Sequence, residues 1–199
     1  MLYKRLAEVY EQLSSTTKRL EKINILSNFL KNLDEKDKDV LYLLLGDIYP
    51  EYDERKIGVS NQLAIKAISL ATGIGKEHVV KEWKSLGDLG LVAEKLTKSK
   101  KQSTLHTHVL TTEKILDNLR KLPGLEGKGT VNKKLSLITE LLTSASHIES
   151  KYLVRTLIGD LRIGVQESTI RDSMADAFFK DKKEASINLQ KAIDKANDL

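Results

Sequence analysis

The sequence has 199 residues, of which 40% are hydrophobic, 31% charged and only 5% aromatic. A chain of this length can bury a substantial core as one large domain or two small ones. It contains no cysteine, which excludes disulfides, thiolate zinc sites and a cysteine nucleophile. It also has no signal-peptide pattern and no apolar run close to the roughly 18 residues of a membrane helix. We therefore expect a soluble, cytoplasmic protein with no membrane partner.

The positive charge is concentrated in the middle of the chain. Residues 95–134 contain ten Lys or Arg and three acidic residues, a net charge of +7, whereas the whole chain carries +5. The remaining residues are therefore slightly acidic as a group. A concentrated basic segment is typical of proteins that bind polyanions. A solvated lysine-rich loop is the alternative that charge alone leaves open.

Apolar residues recur at helical spacing through most of the chain, which predicts an all-α fold. In chain order, the predicted helices cover residues 2–13, 22–30, 37–45, 61–71, 76–86, 112–122, 134–145, 147–159, 167–179 and 183–195. Ser146 and Glu149 have the spacing of a capping box, and Gly159 suits the left-handed residue that ends a helix. Residues 97–111 are polar and β-branched, so we expect a loop there with at most one short strand pair.

The sequence contains an internal repeat, with copies at about residues 22–92 and 134–199. The matching landmarks are, in order, residues 22–30 with 134–142, Gly46-Asp47 with Gly159-Asp160, and Ile57-Gly58-Val59 with Ile163-Gly164-Val165. Since one copy could hardly bury its apolar faces alone, we predict a single helical domain over residues 1–199 with pseudo-twofold symmetry. The second copy ends one residue before its counterpart of Gly90, which predicts a fragment of a longer protein.

The 159–164 turn is one candidate for phosphate binding. It joins two predicted helices and holds Arg162 between Gly159 and Gly164. Glycines let backbone amides approach a phosphate closely, a helix start adds free N–H groups, and arginine adds a forked cation. The corresponding turn of the first copy offers Arg55 and Lys56 as a mirrored contact. The spacing also fits an ordinary helix–turn–helix connection with a surface arginine.

The 127–134 segment, Gly-Lys-Gly-Thr-Val-Asn-Lys-Lys, is a second candidate. Its flexible, amide-rich and cationic start leads into a predicted helix, and this arrangement suits phosphate. The segment lacks the glycine and Ser/Thr spacing of a nucleotide-binding P-loop. A plain linker is the alternative interpretation.

The sequence predicts neither a metal site nor a catalytic site. His106 and His108 share a face if their stretch is extended, but no third ligand lies nearby in the sequence. No nucleophile–base pair and no acid–base pair stands out from the charged, exposed runs. We therefore expect this chain to bind a partner rather than to catalyse a reaction by itself.

Residues 154–165 read Val-Arg-Thr-Leu-Ile-Gly-Asp-Leu-Arg-Ile-Gly-Val, a run that resembles the N-terminal DNA-binding domain of archaeal-type ATP-dependent DNA ligases. Residues 45–55, 71–74 and 87–90 also fit the archaeal pattern, and the resemblance covers essentially all 199 residues. It implies an all-α, pseudo-twofold domain that lies along the minor groove on both sides of a nick and reads duplex shape through phosphates and sugars. The residues that the resemblance and the repeat assign to DNA are Gly127, Lys128, Gly129, Thr130, Lys133, Lys134, Gly159, Leu161, Arg162, Gly164, Arg55 and Lys56.

The resemblance also implies a parent enzyme that adenylates a lysine with ATP and seals nicks with Mg²⁺ in replication, recombination and repair. The Lys-x-Asp-Gly motif that takes the AMP occurs nowhere in this chain, so we expect the chain alone to be an inactive, cofactor-free monomer. Archaeal relatives often dock on a PCNA-type sliding clamp through a glutamine-led aromatic motif. Gln102 and Leu105 have its spacing but lack its paired aromatics, which implies weak docking. The alternative function is a helical protein-interaction module that docks on a clamp or an acidic partner.

Overall fold

The structure, a computed structural model, describes residues 1–99 and 109–199. Within these two ranges the regular structure is helical, apart from one antiparallel bridge between Leu2 and Thr111. The predicted all-α fold is confirmed. None of the described helices is long and apolar enough to cross a membrane. The helices are α1 (Tyr3–Ser14), α2 (Arg19–Leu30), a 3₁₀ turn (Glu35–Asp37), α3 (Val40–Leu45), α4 (Asn61–Thr72), α5 (Lys76–Leu86), α6 (Leu89–Lys98), α7 (Thr112–Lys121), α8 (Thr130–Ser144), α9 (His147–Leu157), α10 (Glu167–Phe178) and α11 (Lys182–Ala196).

The predicted helices match the observed ones closely, with differences at a few ends. The predicted helix over residues 37–45 is a 3₁₀ turn followed by the short α3, and α8 begins four residues earlier than predicted. The capping box of α9 is confirmed, because the Ser146 hydroxyl accepts from the Glu149 amide and the Glu149 carboxylate accepts from the Ser146 amide. Helix α6 continues to Lys98, so the predicted loop at residues 97–111 begins with two helical residues, and residues 100–108 lie outside the described residues.

The chain forms two compact units, each built from separate stretches of sequence. Unit 1 contains Met1–Ala7 and Lys56–Asp160, and unit 2 contains Glu8–Arg55 and Leu161–Leu199. These boundaries do not follow the two repeat copies. Each unit instead takes helices from both copies, so neither copy supplies a complete unit alone.

Unit 1 is built on two closely packed helix pairs, α6 with α9 and α4 with α8. Every residue of α9 from Glu149 onward is buried, so this helix lies at the centre of the unit. A buried cation–carboxylate pair joins Arg155 of α9 to Asp88, whose carboxylate lies 2.7 Å from the guanidinium. The same carboxylate caps α6 by accepting from the amides of Gly90 and Leu91.

Helix α6 was not predicted, and Gly90 explains why. A glycine inside a helical pattern argues against a helix, since it is about 1 kcal/mol less favourable there than alanine. In the structure Gly90 lies where α6 meets α9, and a Cβ at this position would be 2.7 Å from both the Arg155 Cγ and the Lys151 carbonyl oxygen. The glycine is therefore needed for close helix packing. The signals that indicate α6 are the N-cap Asp88 and the buried Leu89, Val92, Ala93 and Leu96 at helical spacing.

Unit 2 is built on α10, which packs against α2 and α11. Arg19 of α2 pairs with Asp172 of α10 at 2.6 Å, and the buried Tyr10 hydroxyl donates to the Leu43 carbonyl at 2.7 Å. The pairing of α2 with α10 matches the pairing of α8 with α4 in unit 1. In both pairs one helix comes from the first repeat copy and the other from the second.

The Gly-Asp landmark of the repeat has the same local structure in both copies. Gly46 and Gly159 are left-handed, with φ of 83° and 70°. The Asp47 amide donates to the Tyr42 carbonyl, and the Asp160 amide donates to the Arg155 carbonyl. This bond, from the residue after the left-handed glycine back to the carbonyl five residues earlier, is the Schellman arrangement that ends helices.

Candidate nucleic-acid interface

The 159–164 turn presents Arg162 to solvent between two buried neighbours. Leu161 is 8% exposed and Ile163 is 3% exposed, whereas Arg162 and Gly164 are exposed. Arg162 has φ of 57°, and Gly164 has φ of 60°. A left-handed conformation costs a residue with a side chain roughly 1–2 kcal/mol, so the surroundings must hold Arg162 in place. The buried Leu161 side chain anchors the turn.

Lys22 of α2 lies directly beneath this turn and was missed by the sequence analysis. Its ammonium donates to the carbonyl oxygens of Ile163 at 2.6 Å and Gly164 at 2.9 Å, and the side chain is buried. The signal that could have found it is its position on the helix. Lys22 is four residues before the buried Leu26 and seven before the buried Phe29, so it belongs to the apolar face of α2.

The 127–134 segment forms a tight turn followed by the first turn of α8. Gly127 and Gly129 are left-handed, with φ of 82° and 81°. The Thr130 hydroxyl donates to the Gly127 carbonyl at 2.6 Å. The N-cap is Gly129, which supplies no side-chain cap, and the first turn contains no acidic residue. Among the described residues, the α8 dipole therefore has neither a side-chain cap nor a first-turn acid at its positive end.

The lysines of this segment are available to a ligand. Lys128 and Lys133 are exposed and Lys134 is half-buried. In the described ranges none of the three has an ion-pair partner. Three cations without an ion-pair partner among the described residues thus lie in or just before the first turns of a helix that has no side-chain cap. Helix starts of this kind with nearby cations are common features of anion-binding sites in proteins.

Arg55 is less available than the sequence suggested. Its guanidinium binds the Asp53 carboxylate through two nitrogens, at 2.9 Å and 2.5 Å, and lies 4.0 Å from the centroid of the Tyr49 ring. The hydrogen bond to Asp53 raises the pKa of Arg55. The neighbouring Lys56 is exposed. Within unit 1, no hydrogen bond or ion pair between described residues joins Lys56 to the 127–134 segment.

The remaining candidates fall outside these groups. Gln102, Leu105, His106 and His108 lie outside the described residues. Among the residues that are described, no group of three His, Asp or Glu side chains is arranged to hold a metal ion. His78 is exposed near the start of α5, within 3.6 Å of the Glu82 carboxylate.

Comparison with known proteins identifies the family. A family model described as DNA ligase N terminus matches residues 2–175. The chain belongs to this family. It is 42% identical over 185 residues to a DNA ligase of Methanosphaera stadtmanae, covering 91% of the chain and 33% of the relative. It is 41% identical to a DNA ligase of Methanothermobacter thermautotrophicus, with coverage of 91% and 33%.

A third relative extends the match to the whole chain. A DNA ligase of Methanocaldococcus jannaschii is 35% identical over an alignment that covers 100% of this chain and 35% of the relative. The predicted resemblance to archaeal DNA ligases is therefore confirmed. The chain spans about a third of the length of the ligases that it matches.

Proposed function

We propose that this DNA ligase N-terminal domain binds nicked duplex DNA through phosphates and sugars along the minor groove, without sequence preference. The observation that carries the proposal is the start of α8, where two left-handed glycines, an uncapped helix start and three unpaired lysines lie together. A duplex presents one phosphate charge per about 1.7 Å of its axis. A cationic helix start without an acidic partner is suited to bind such a row of phosphates.

The 159–164 turn supports the same proposal. Arg162 is exposed, and its backbone is anchored on each side by a buried apolar residue. An arginine forks two N–H groups toward a phosphate or a sugar oxygen. Contacts of this kind position a protein on the duplex but carry no sequence information. Lys56 is a further candidate contact, whereas Arg55 can contribute only by sharing its guanidinium with Asp53.

The parent protein is proposed to be an ATP-dependent DNA ligase that uses Mg²⁺ to seal nicks in replication, recombination and repair. In that scheme this domain supplies affinity and positioning, and other domains supply the chemistry. The chain lacks the Lys-x-Asp-Gly motif, so the domain alone should take up no AMP. Incubation with radiolabelled ATP tests this, since any covalent label on the domain contradicts it.

The DNA-binding proposal is tested by a filter-binding titration of the domain with nicked duplexes of two unrelated sequences. Binding constants should fall with salt, with a log–log slope of about −0.9 per phosphate contact. Four contacts, from Lys128, Lys133, Lys134 and Arg162, therefore give a slope of about −3.6. The two sequences should bind within about twofold of each other. No duplex binding at low salt, or a flat salt response, contradicts the proposal and favours docking on an acidic protein partner such as a sliding clamp.

A further inference from the structure

Lys22 is a cation whose side chain is buried in unit 2. Its side chain is 7% exposed, and no carboxylate in the described ranges forms an ion pair with it. Lysine is almost never buried unless it is paired, because removing an ammonium from water costs several kcal/mol. The partners here are two backbone carbonyls, those of Ile163 and Gly164. The ammonium therefore serves the 159–164 turn.

The turn is shaped around this ammonium. A Cβ on Gly164 would lie 2.5 Å from the Lys22 Nζ, and φ at Gly164 is positive, so an alanine there would have to displace the ammonium and would strain the backbone. On the other side of Arg162, Leu161 lies against Gly46, whose Cβ position is 3.4 Å from the Leu161 Cβ. Leu161 thus fixes the backbone before Arg162, and Lys22 fixes the backbone after it.

We propose that Lys22 is a positioning residue for the DNA contact made by Arg162. By holding two carbonyls toward the core, its ammonium keeps Arg162 in its left-handed conformation with the side chain facing solvent. Lys22 does not itself touch a phosphate, because it is buried. This inference rests on the proposed DNA-binding function.

The repeat provides a comparison for this role. Residues 22–30 match residues 134–142, so Lys134 of α8 is the counterpart of Lys22. Lys134 is half-buried, and among the described residues no carbonyl accepts a hydrogen bond from its ammonium. The lysine at this position therefore binds the carbonyls of a turn in unit 2, as Lys22, whereas in unit 1 its counterpart Lys134 makes no such bond among the described residues.

A double-mutant cycle tests the inference, using duplex affinity at 0.1 M salt. Loss of one phosphate contact should weaken binding about eightfold, because affinity scales with salt to the power −0.9 per contact. Arg162→Ala should show this loss. Lys22→Met should weaken binding by a similar factor and reduce the salt slope by about 0.9 although Lys22 is buried. In the Arg162→Ala background, Lys22→Met should then have no further effect.

The outcomes separate this inference from the proposed function. If Lys22→Met weakens binding by the same factor with and without Arg162, its role is merely structural and the inference is overturned. If Arg162→Ala weakens binding and Lys22→Met does not, only the inference fails. If Arg162→Ala has no effect, the Arg162 contact fails and the inference fails with it.

A second variant guards against unfolding of Lys22→Met. Gly164→Ala places a methyl group against the Lys22 ammonium and so disturbs the same contact without changing Lys22. Gly73→Ala is its control. Gly73 also has positive φ, 72°, but a Cβ there meets nothing within 4 Å. Gly164→Ala should weaken duplex binding about eightfold in the wild-type background only. Equal weakening in the Arg162→Ala background, or equal weakening by Gly73→Ala, overturns the inference.

Discussion

The starts of α2 and α8 occupy matching positions in the repeat, yet their charges are arranged in opposite ways. In the first turn of α2, Glu21 accepts hydrogen bonds from Lys18 and Thr16, and these bonds lower its pKa. Arg19 is paired with Asp172. In the first turn of α8 there is no acid, and Lys128 and Lys133 have no ion-pair partner among the described residues. One helix start is neutralised within the protein, and the other has no neutralising partner among the described residues.

A similar contrast is found between the aspartates that follow α5 and α11. Asp88 follows the left-handed Gly87 and binds Arg155, whereas Asp198 follows the left-handed Asn197 and accepts a hydrogen bond from the Tyr42 hydroxyl at 2.8 Å. Arg155 and Tyr42 each lie four residues before the Gly-Asp landmark of their copy. The aspartate that follows α5 in unit 1 is thus held by a buried ion pair, and the one that follows α11 in unit 2 by a hydrogen bond that a neutral phenol donates.

The largest expected effect is the loss of stability when the cation of the buried Arg155–Asp88 pair is removed. Arg155→Met leaves the buried Asp88 carboxylate without its cation and should lower the free energy of unfolding by about 3–5 kcal/mol. Tyr42→Phe removes one hydrogen bond and should lower it by about 1 kcal/mol. Urea unfolding of both variants measures the difference. Equal losses in the two variants would contradict the distinction between the units.

Gly90→Ala should lower stability although alanine is the better helix former. Intrinsic propensity favours alanine by about 1 kcal/mol, but the new methyl group would lie 2.7 Å from the Arg155 Cγ and from a backbone oxygen. Overpacking of this kind costs about 1–3 kcal/mol, so a net loss is expected by urea unfolding. The control is Gly75→Ala at the N-cap of α5, where a Cβ meets nothing within 4 Å. Stabilisation by Gly90→Ala would show that α6 and α9 do not pack this closely.

Acid should destabilise the domain partly through Asp88. Burial alone raises the pKa of Asp88, but the hydrogen bond and charge of Arg155, with the amides of Leu91 and Gly90, outweigh it and leave the pKa lowered. A lowered pKa contributes stability above the unfolded pKa of about 3.9, and this contribution is lost as pH falls through the folded pKa. Unfolding free energies between pH 7 and pH 3 should therefore fall less in Arg155→Met than in Tyr42→Phe. Parallel pH profiles would contradict the role given to this pair.

The smallest stability effect is expected from exchanging charges between the two helix starts. Lys133→Glu gives α8 the acid that Glu21 provides in α2. A carboxylate in a first helical turn stabilises by about 0.3–1 kcal/mol, so thermal stability should rise slightly while duplex affinity at 0.1 M salt falls at least eightfold. Glu21→Lys should do the opposite to stability. A Lys133→Glu variant that binds DNA like the wild type would show that the α8 start is not a phosphate contact.

Most of the fold could be predicted from local sequence patterns, because helical spacing and capping residues act over a few residues. Ser146 with Glu149, and the Gly-Asp landmarks, gave helix ends that the structure reproduces. Helix α6 was missed because the reason for Gly90 is its contact with α9, which is distant in sequence. Each compact unit combines helices of both repeat copies, and this depends in the same way on which helices pack together.

The candidate site shows the same limit. The 127–134 segment could be found because its glycines, lysines and helix start are contiguous. The acceptor of the Lys22 ammonium lies about 140 residues away in the chain, so only the structure reveals it. The ion pairing of Arg55 has a local signal in Asp53, two residues earlier, but its geometry depends on the turn and on Tyr49.

The most direct test of the α8 start is the salt dependence of nicked-duplex affinity in a triple variant. Lys128→Ala, Lys133→Ala and Lys134→Ala together should reduce the log–log slope by about 2.7 and weaken binding at 0.1 M salt about 500-fold. The matched control changes three exposed lysines of α5, Lys76, Lys81 and Lys84, to alanine and should keep most of the wild-type slope. Equal slopes in the triple variant and the wild type, or equal losses in the two triple variants, would contradict phosphate binding at this helix start.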